Sequence, residues 1–145
     1  MKEMDFKKII FLVGPTAVGK TEVSFDLARA LNAEIISCDS MQVYKEISIA
    51  SGKPPEGTLR QIPHHLVGVV SIQEEFDVMN FHQMATAAIK MIHAENKIPL
   101  VAGGSGLYMQ VLLDGLFAGV PKDSPLLEEL EGMAREKGNE FLFSQ

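Results

Sequence analysis

The segment GPTAVGKT, comprising Gly14, Pro15, Thr16, Ala17, Val18, Gly19, Lys20 and Thr21, matches the pattern G-x-x-x-x-G-K-[ST]. Its chemistry is that of a phosphate cradle. Glycines let successive backbone N–H groups curl inward as an anion nest, and a helix starting behind them adds partial positive charge. Lys20 can bridge phosphate oxygens, and the Thr21 hydroxyl is positioned to ligate Mg²⁺. The pattern says phosphate without saying whose. A second candidate is Asp39, which ends the apolar run AEIISCD and opens DSMQVY. A carboxylate there can cap the following turn, hold Mg²⁺ or act as a base, and placement alone leaves all three open. GGSG, Gly103 to Gly106, offers further N–H groups and the Ser105 hydroxyl at a helix start, although a tight turn explains it equally well. His64 and His65 in PHHL have no Cys or Glu at ligand spacing and do not read as a metal site.

These residues need elements to hold them. Four apolar runs, KIIFLVG, AEIISCD, HLVGVVS and IPLVAGG, are continuous rather than alternating, as expected of parallel strands covered on both faces. Between the first two, KTEVSFDLARALN sets Val23, Leu27, Ala28 and Leu31 on one helical face, with Asn32 as a stop. A longer helix is expected to start at Asp77 as N-cap, to carry Phe81, Met84, Ala85, Ala88 and Ile92 inward, and to end near Asn96. SGLYMQVLLDGL predicts a helix after the fourth strand. SPLLEELEGMAREKG predicts another, with Ser124 as cap, Pro125 in the first turn and Gly138 as stop. SGKPPEGTLRQIP reads as a Pro/Gly-rich loop of functional length. Met79, Met84, Met91 and Met109 are expected to fill gaps in the core, and Cys38 to be a small buried hydrophobe. Glu74, Glu75 and the acidic EELE read as solvated faces.

Alternating strands and helices predict a three-layer α/β fold with a mainly parallel sheet. Ligands bind such sheets at the carboxyl ends of the strands, where both Gly-rich turns and Asp39 fall. The 145 residues suit one domain, 1–145, and 46% hydrophobic with 22% charged residues suits a folded globule. One cysteine excludes a disulfide scaffold and suits a reducing compartment. The apolar segment IIFLVG is too short to span a membrane or act as a signal peptide, so a cytoplasmic protein with no membrane contact is expected. A net charge of −6 argues against gripping nucleic acid by a broad basic face.

Taken together and in order, GPTAVGKT, DSMQVYKEISIASGKP, PHHL and GGSGLY resemble the tRNA dimethylallyltransferase (isopentenyltransferase) family, over about Ile10 to Leu116. The resemblance implies a P-loop NTPase-like fold in which the P-loop holds the diphosphate of dimethylallyl diphosphate, with Mg²⁺. The dimethylallyl group would pass to the exocyclic amine of an adenosine beside the anticodon of tRNA, releasing diphosphate. Carried over by position, Thr16, Lys20 and Thr21 become diphosphate contacts, with Thr21 also the metal ligand. Asp39 becomes the acceptor of the amine proton, Ser40, Met41 and Gln42 line the adenosine side, and Ser105 becomes a second contact to the tRNA. A monomer is implied.

Two departures keep the chemistry: Ser105 stands where the family usually has threonine, and ASGKP (Ala50 to Pro54) where it usually has GTAKP. A third concerns length. The family is longer, and its later half supplies a diphosphate-binding arginine and much of the tRNA grip. The 145 residues are therefore expected to bind diphosphate yet modify tRNA poorly by themselves. Rival readings are an adenylate (AMP, ADP or ATP) isopentenyltransferase, a small-molecule P-loop kinase, and an inactive phosphate-binding module.

Overall fold

The structure, a computed structural model, describes residues 9–115 and 124–144. Four strands, β1 (Ile10–Val13), β2 (Ala33–Cys38), β3 (His64–His65) and β4 (Ile98–Gly103), form one parallel sheet in the order β1-β4-β2-β3. The helices are α1 (Lys20–Leu31), α2 (Glu56–Leu59), α3 (Val78–Ala94), α4 (Gly106–Asp114), α5 (Ser124–Lys137) and α6 (Asn139–Phe143).

Successive strand residues point to opposite faces, so each apolar run feeds two cores at once. From β2, Ala33 and Ile35 join Leu100 under Ala28, Phe25 and Leu27 of α1. Ile36 and Cys38 face the other way, with Val101, against Phe81, Ala85, Ile89 and Ile92 of α3 and Met109 and Leu112 of α4. This is the three-layer α/β sandwich expected. Helix α3 begins on Asp77, whose carboxylate accepts from Asn80 N at 2.9 Å while Asn80 Oδ1 accepts from Asp77 N at 3.1 Å. This reciprocal pair satisfies two donors that an uncapped helix start leaves bare. Asn32 closes α1 and Asn96 follows α3, both at positive φ (53° and 57°).

Several expectations are corrected. The run HLVGVVS is not a strand beyond His65, because Leu66 (φ 62°) and Gly68 (φ 61°) turn left-handed and break the extension. Its remainder instead meets the segment after Asp39: Val69 N and Val70 N donate to the Val43 carbonyl at 2.8 and 3.1 Å, and Lys45 N to the Val70 carbonyl at 2.8 Å. The inward face of α1 is rotated. Ser24 and Ala28 are buried while Val23 and Leu31 are exposed, since small residues let the helix lie close on the sheet. Among the methionines, Met109 is buried and Met84 packs on the core, but Met79 and Met91 face solvent. The Pro/Gly loop contains the short helix α2. α5 starts on Ser124 itself, whose side chain lies outside the described residues, as do Leu116 and Gln145.

Candidate active site

Three turns meet at the carboxyl ends of β1, β2 and β4, because those strands are adjacent and parallel. Between β1 and α1 the backbone turns left-handed at Ala17 (φ 63°) and Gly19 (φ 83°), the alternation that folds amides into an anion nest. Gly19 is the N-cap of α1 and no side chain bonds the freed amides there. They face the dipole-positive end of a twelve-residue helix. Lys20 Nζ lies folded back on the Pro15 carbonyl.

Beyond β2, Asp39 does two things at once. Its Oδ1 accepts from Met41 N at 2.8 Å and from Gln42 N at 3.4 Å, an Asx-type cap of the turn. Its second oxygen has no hydrogen bond among the described residues. Fixing one oxygen on the backbone holds the side chain in place and leaves the other for a ligand. Gln42 is tied in turn by Ser37 Oγ, which donates to Gln42 Oε1 at 2.9 Å, and by its own Nε2, which donates to the Gly52 carbonyl at 3.5 Å. Ser51 Oγ bonds the Ile47 and Ser48 carbonyls at 2.7 and 3.1 Å, and Lys53 Nζ caps the Tyr44 and Lys45 carbonyls. The loop after Asp39 is thus held by these side chains together with the backbone bonds between Val43, Lys45, Val69 and Val70.

The third turn locks the other two together. An added Cβ on Gly103 would lie 2.0 Å from the Cys38 carbonyl oxygen, so only glycine lets β4 approach the end of β2. At Gly104 the same atom would meet the Gly14 carbonyl at 3.2 Å. Ser105 is the N-cap of α4 but does not cap it; its Oγ accepts from Ser40 N at 3.2 Å, and Ser105 N donates to the Cys38 carbonyl at 3.2 Å. The hydroxyl therefore braces the Asp39 turn. Burial, with Asp39 beside it, pushes the Cys38 thiol up to about 12, which keeps it an inert apolar group.

A cleft of about 360 Å³ runs between these turns. Thr16, Ala17, Gly19, Lys20, Thr21, Asp39 and Gln42 line it. Gly14, Pro15, Val18, Ser40, Met41 and Ser105 belong to the same turns but do not line it. Sequence reasoning missed Ser24, Ser37, Ser51 and His64, which also line it. Isolated serines carry no spacing signal, and PHHL gives His64 no partner in sequence that would mark it as a cleft residue. His65 bonds Glu34 at 2.7 Å at the far end of β2, and the described residues contain no cluster of three or more His, Cys, Asp or Glu suited to a metal.

The chain is similar to known proteins over most of its length. The chain is 45% identical to a tRNA dimethylallyltransferase of Alkaliphilus oremlandii over 140 residues, covering 96% of this chain and 45% of that protein. It is 43% identical to one of Levilactobacillus brevis, covering 95% and 46%. The chain thus spans about half the length of the curated relatives it matches. Among solved structures it resembles the full-length tRNA isopentenylpyrophosphate transferase of Bacillus halodurans, with TM-score 0.74, 39% identity, and coverage of 90% of this chain and 44% of that one. It also resembles a eukaryotic dimethylallyltransferase acting on tRNA, with TM-score 0.76, 38% identity, and coverage of 86% and 32%. The family profile described as IPP transferase matches residues 42–145, and with that match the chain belongs to the IPP transferase family.

Proposed function

We propose that this chain carries the diphosphate site and the proton acceptor of a tRNA dimethylallyltransferase. The observation that supports this best is Asp39: a carboxylate with one oxygen pinned to backbone amides and one free of bonds among the described residues, in the same cleft as a nest of amides that no side chain caps. The relatives bear the name of that activity.

An adenine amine is a weak nucleophile because its lone pair is delocalised into the ring. As it attacks the allylic carbon, positive charge grows on nitrogen. The free oxygen of Asp39 stabilises that charge and takes the proton, a kind of help that supplies about 10²–10⁴-fold. The C–O bond to diphosphate breaks as the C–N bond forms, and negative charge grows on the departing oxygen. The nest amides, Lys20 and Thr16 meet that charge in place, where losing one preorganised donor costs about 2.7–4 kcal/mol. Thr21 lines the cleft and its hydroxyl would hold magnesium, an ion that takes few protein oxygens and relies on substrate phosphates and waters rather than an all-protein cage. When bound, it supplies further charge neutralisation on the diphosphate. Ser40, Met41 and Gln42 would meet the adenosine and Ser105 would hold their turn. The amine is reached only on an unstacked base, which favours an anticodon loop over a duplex. A single soluble copy suffices for these roles, and no helix among the described residues is long and apolar enough to cross a membrane.

Mass spectrometry after incubation with Mg²⁺, dimethylallyl diphosphate and tRNA at low salt tests the reading. One prenyl unit gained by the tRNA, even slowly, is expected. A gain on AMP or ATP in place of tRNA identifies an adenylate prenyltransferase. Steady ATP turnover without binding of dimethylallyl diphosphate identifies a kinase and overturns the proposal.

A further inference from the structure

His64 has no role in the chemistry above, yet it lines the same cleft as Thr21, Ser24 and Asp39. Its place follows from the register of β3. His64 pairs with Ile35, and on a strand Ile35 and Ser37 share one face, so the imidazole joins these two residues in lining the cleft. The ring is held on two sides. Nδ1 lies 2.7 Å from the Ile62 carbonyl, which accepts and so fixes the proton on Nδ1. Phe25 of α1 meets the ring edge-on with centroids 5.3 Å apart. Burial draws its pKa below the usual histidine range; the Ile62 carbonyl opposes this and neighbouring His65 adds to it. The neutral ring therefore leaves Nε2 as an unprotonated acceptor with no partner among the described residues. A side chain kept only for packing needs neither a fixed tautomer nor a free lone pair in a phosphate cleft.

We infer that His64 is a positioning residue of the diphosphate site, its Nε2 accepting a hydrogen bond from the hydration shell of magnesium diphosphate held at the P-loop. A hydrated cation brings donors, whereas the nest, Lys20 and the hydroxyls of this cleft would serve the phosphate oxygens, so a neutral acceptor in the same cleft complements them. The assignment rests on the reading of the P-loop as a diphosphate site. It differs from a ligand role: His64 touches water, not the metal, as suits an ion that dehydrates reluctantly.

Nitrogen-15 spectra of the imidazole, recorded at constant pH, give a direct readout. Free protein should show the Nδ1–H tautomer, and Mg²⁺ with inorganic diphosphate should shift the Nε2 resonance upfield as it gains a donor. If calorimetry shows diphosphate binding while Nε2 stays unmoved, His64 is structural, the inference fails and the P-loop reading stands. Absence of diphosphate binding overturns both. A shift seen only on adding an anticodon stem-loop RNA overturns the diphosphate assignment. Two variants separate the ring nitrogens. His64→Asn can keep the bond to Ile62 but lacks the Nε2 acceptor, and should weaken magnesium diphosphate about three- to tenfold. His64→Gln can reach the Nε2 position and should stay within about twofold of wild type. Equal losses in both, tracking a fall in melting temperature, would show a packing role instead.

Discussion

Lys20 and Asp39 lie in one cleft, but their separate chemistry predicts separate defects. Lys20 now rests on the Pro15 carbonyl and must leave it for a phosphate oxygen, a charge-assisted bond about twice as strong as a neutral one. Lys20→Ala should therefore weaken diphosphate binding by about 1.5–3 kcal/mol, roughly ten- to hundredfold by calorimetry. Asp39→Asn keeps an oxygen for the Met41 and Gln42 amides, so the turn should survive and diphosphate binding should stay near wild type. Transfer should slow by about 10²-fold or more, because a neutral amide neither stabilises nor accepts the proton. Loss of Mg²⁺-dependent binding alone in Asp39→Asn would instead make Asp39 a metal ligand.

Elements matter here through how closely they approach. Gly103 lets β4 run against the end of β2, and a methyl there would sit inside the Cys38 carbonyl. Backbone cannot swing aside as a side chain can. Gly103→Ala should cost about 1–3 kcal/mol in urea unfolding, with loss of the cleft's shape as well as stability. An unchanged midpoint would mean that the strands part more easily than the geometry implies. The start of α3 offers a control far from the cleft. Asp77→Ala removes one half of the capping box and should cost about 1 kcal/mol, leaving diphosphate affinity unchanged.

At the scale of the whole molecule, the two ends of the sheet carry opposite designs. The carboxyl end leaves polar groups open for a ligand, while the amino end closes them on each other. Glu34 is buried between Lys97, 2.6 Å away, and His65, 2.7 Å away. Burial alone would raise its pKa, but the Lys97 and His65 bonds outweigh it and hold the carboxyl below its ordinary 4.5. A depressed carboxylate stabilises the fold above the unfolded value and loses that stability as pH falls through the folded one. Urea unfolding should thus weaken below about pH 4.5 in wild type, and Glu34→Gln should flatten that decline. Equal slopes in the two proteins would sink the assignment. The same scale limits RNA binding. With net charge −6 the chain releases few counterions, so tRNA retention should be weak already at about 50 mM salt and fall only gently towards about 200 mM, while diphosphate binding persists.

Local patterns in the chain settled what depends on neighbours in sequence. The G-x-x-x-x-G-K-[ST] spacing, the continuous apolar runs, the Asp77 cap and the Asn32 stop are all short-range, and they determined the nest, three of the strands and the helix ends. The family match followed from four such blocks read in order. Tertiary structure decided what depends on partners distant along the chain. HLVGVVS had the composition of a strand, but Leu66 and Gly68 turn left-handed and its later residues pair with Val43 and Lys45 instead. Val23 and Leu31 lost the inner face of α1 to Ser24 and Ala28, because the distance to the sheet, not hydrophobicity alone, selects which side is buried. Ser105 was legible as a hydroxyl at a helix start; that it braces Ser40, 65 residues away, emerges only when β2 and β4 lie side by side. His64 is the sharpest case. Its neighbours in sequence gave it no chemistry, and the register of β3 against Ile35 put it in the cleft that Asp39 also lines, since strand pairing is what converts separation along the chain into a shared cleft.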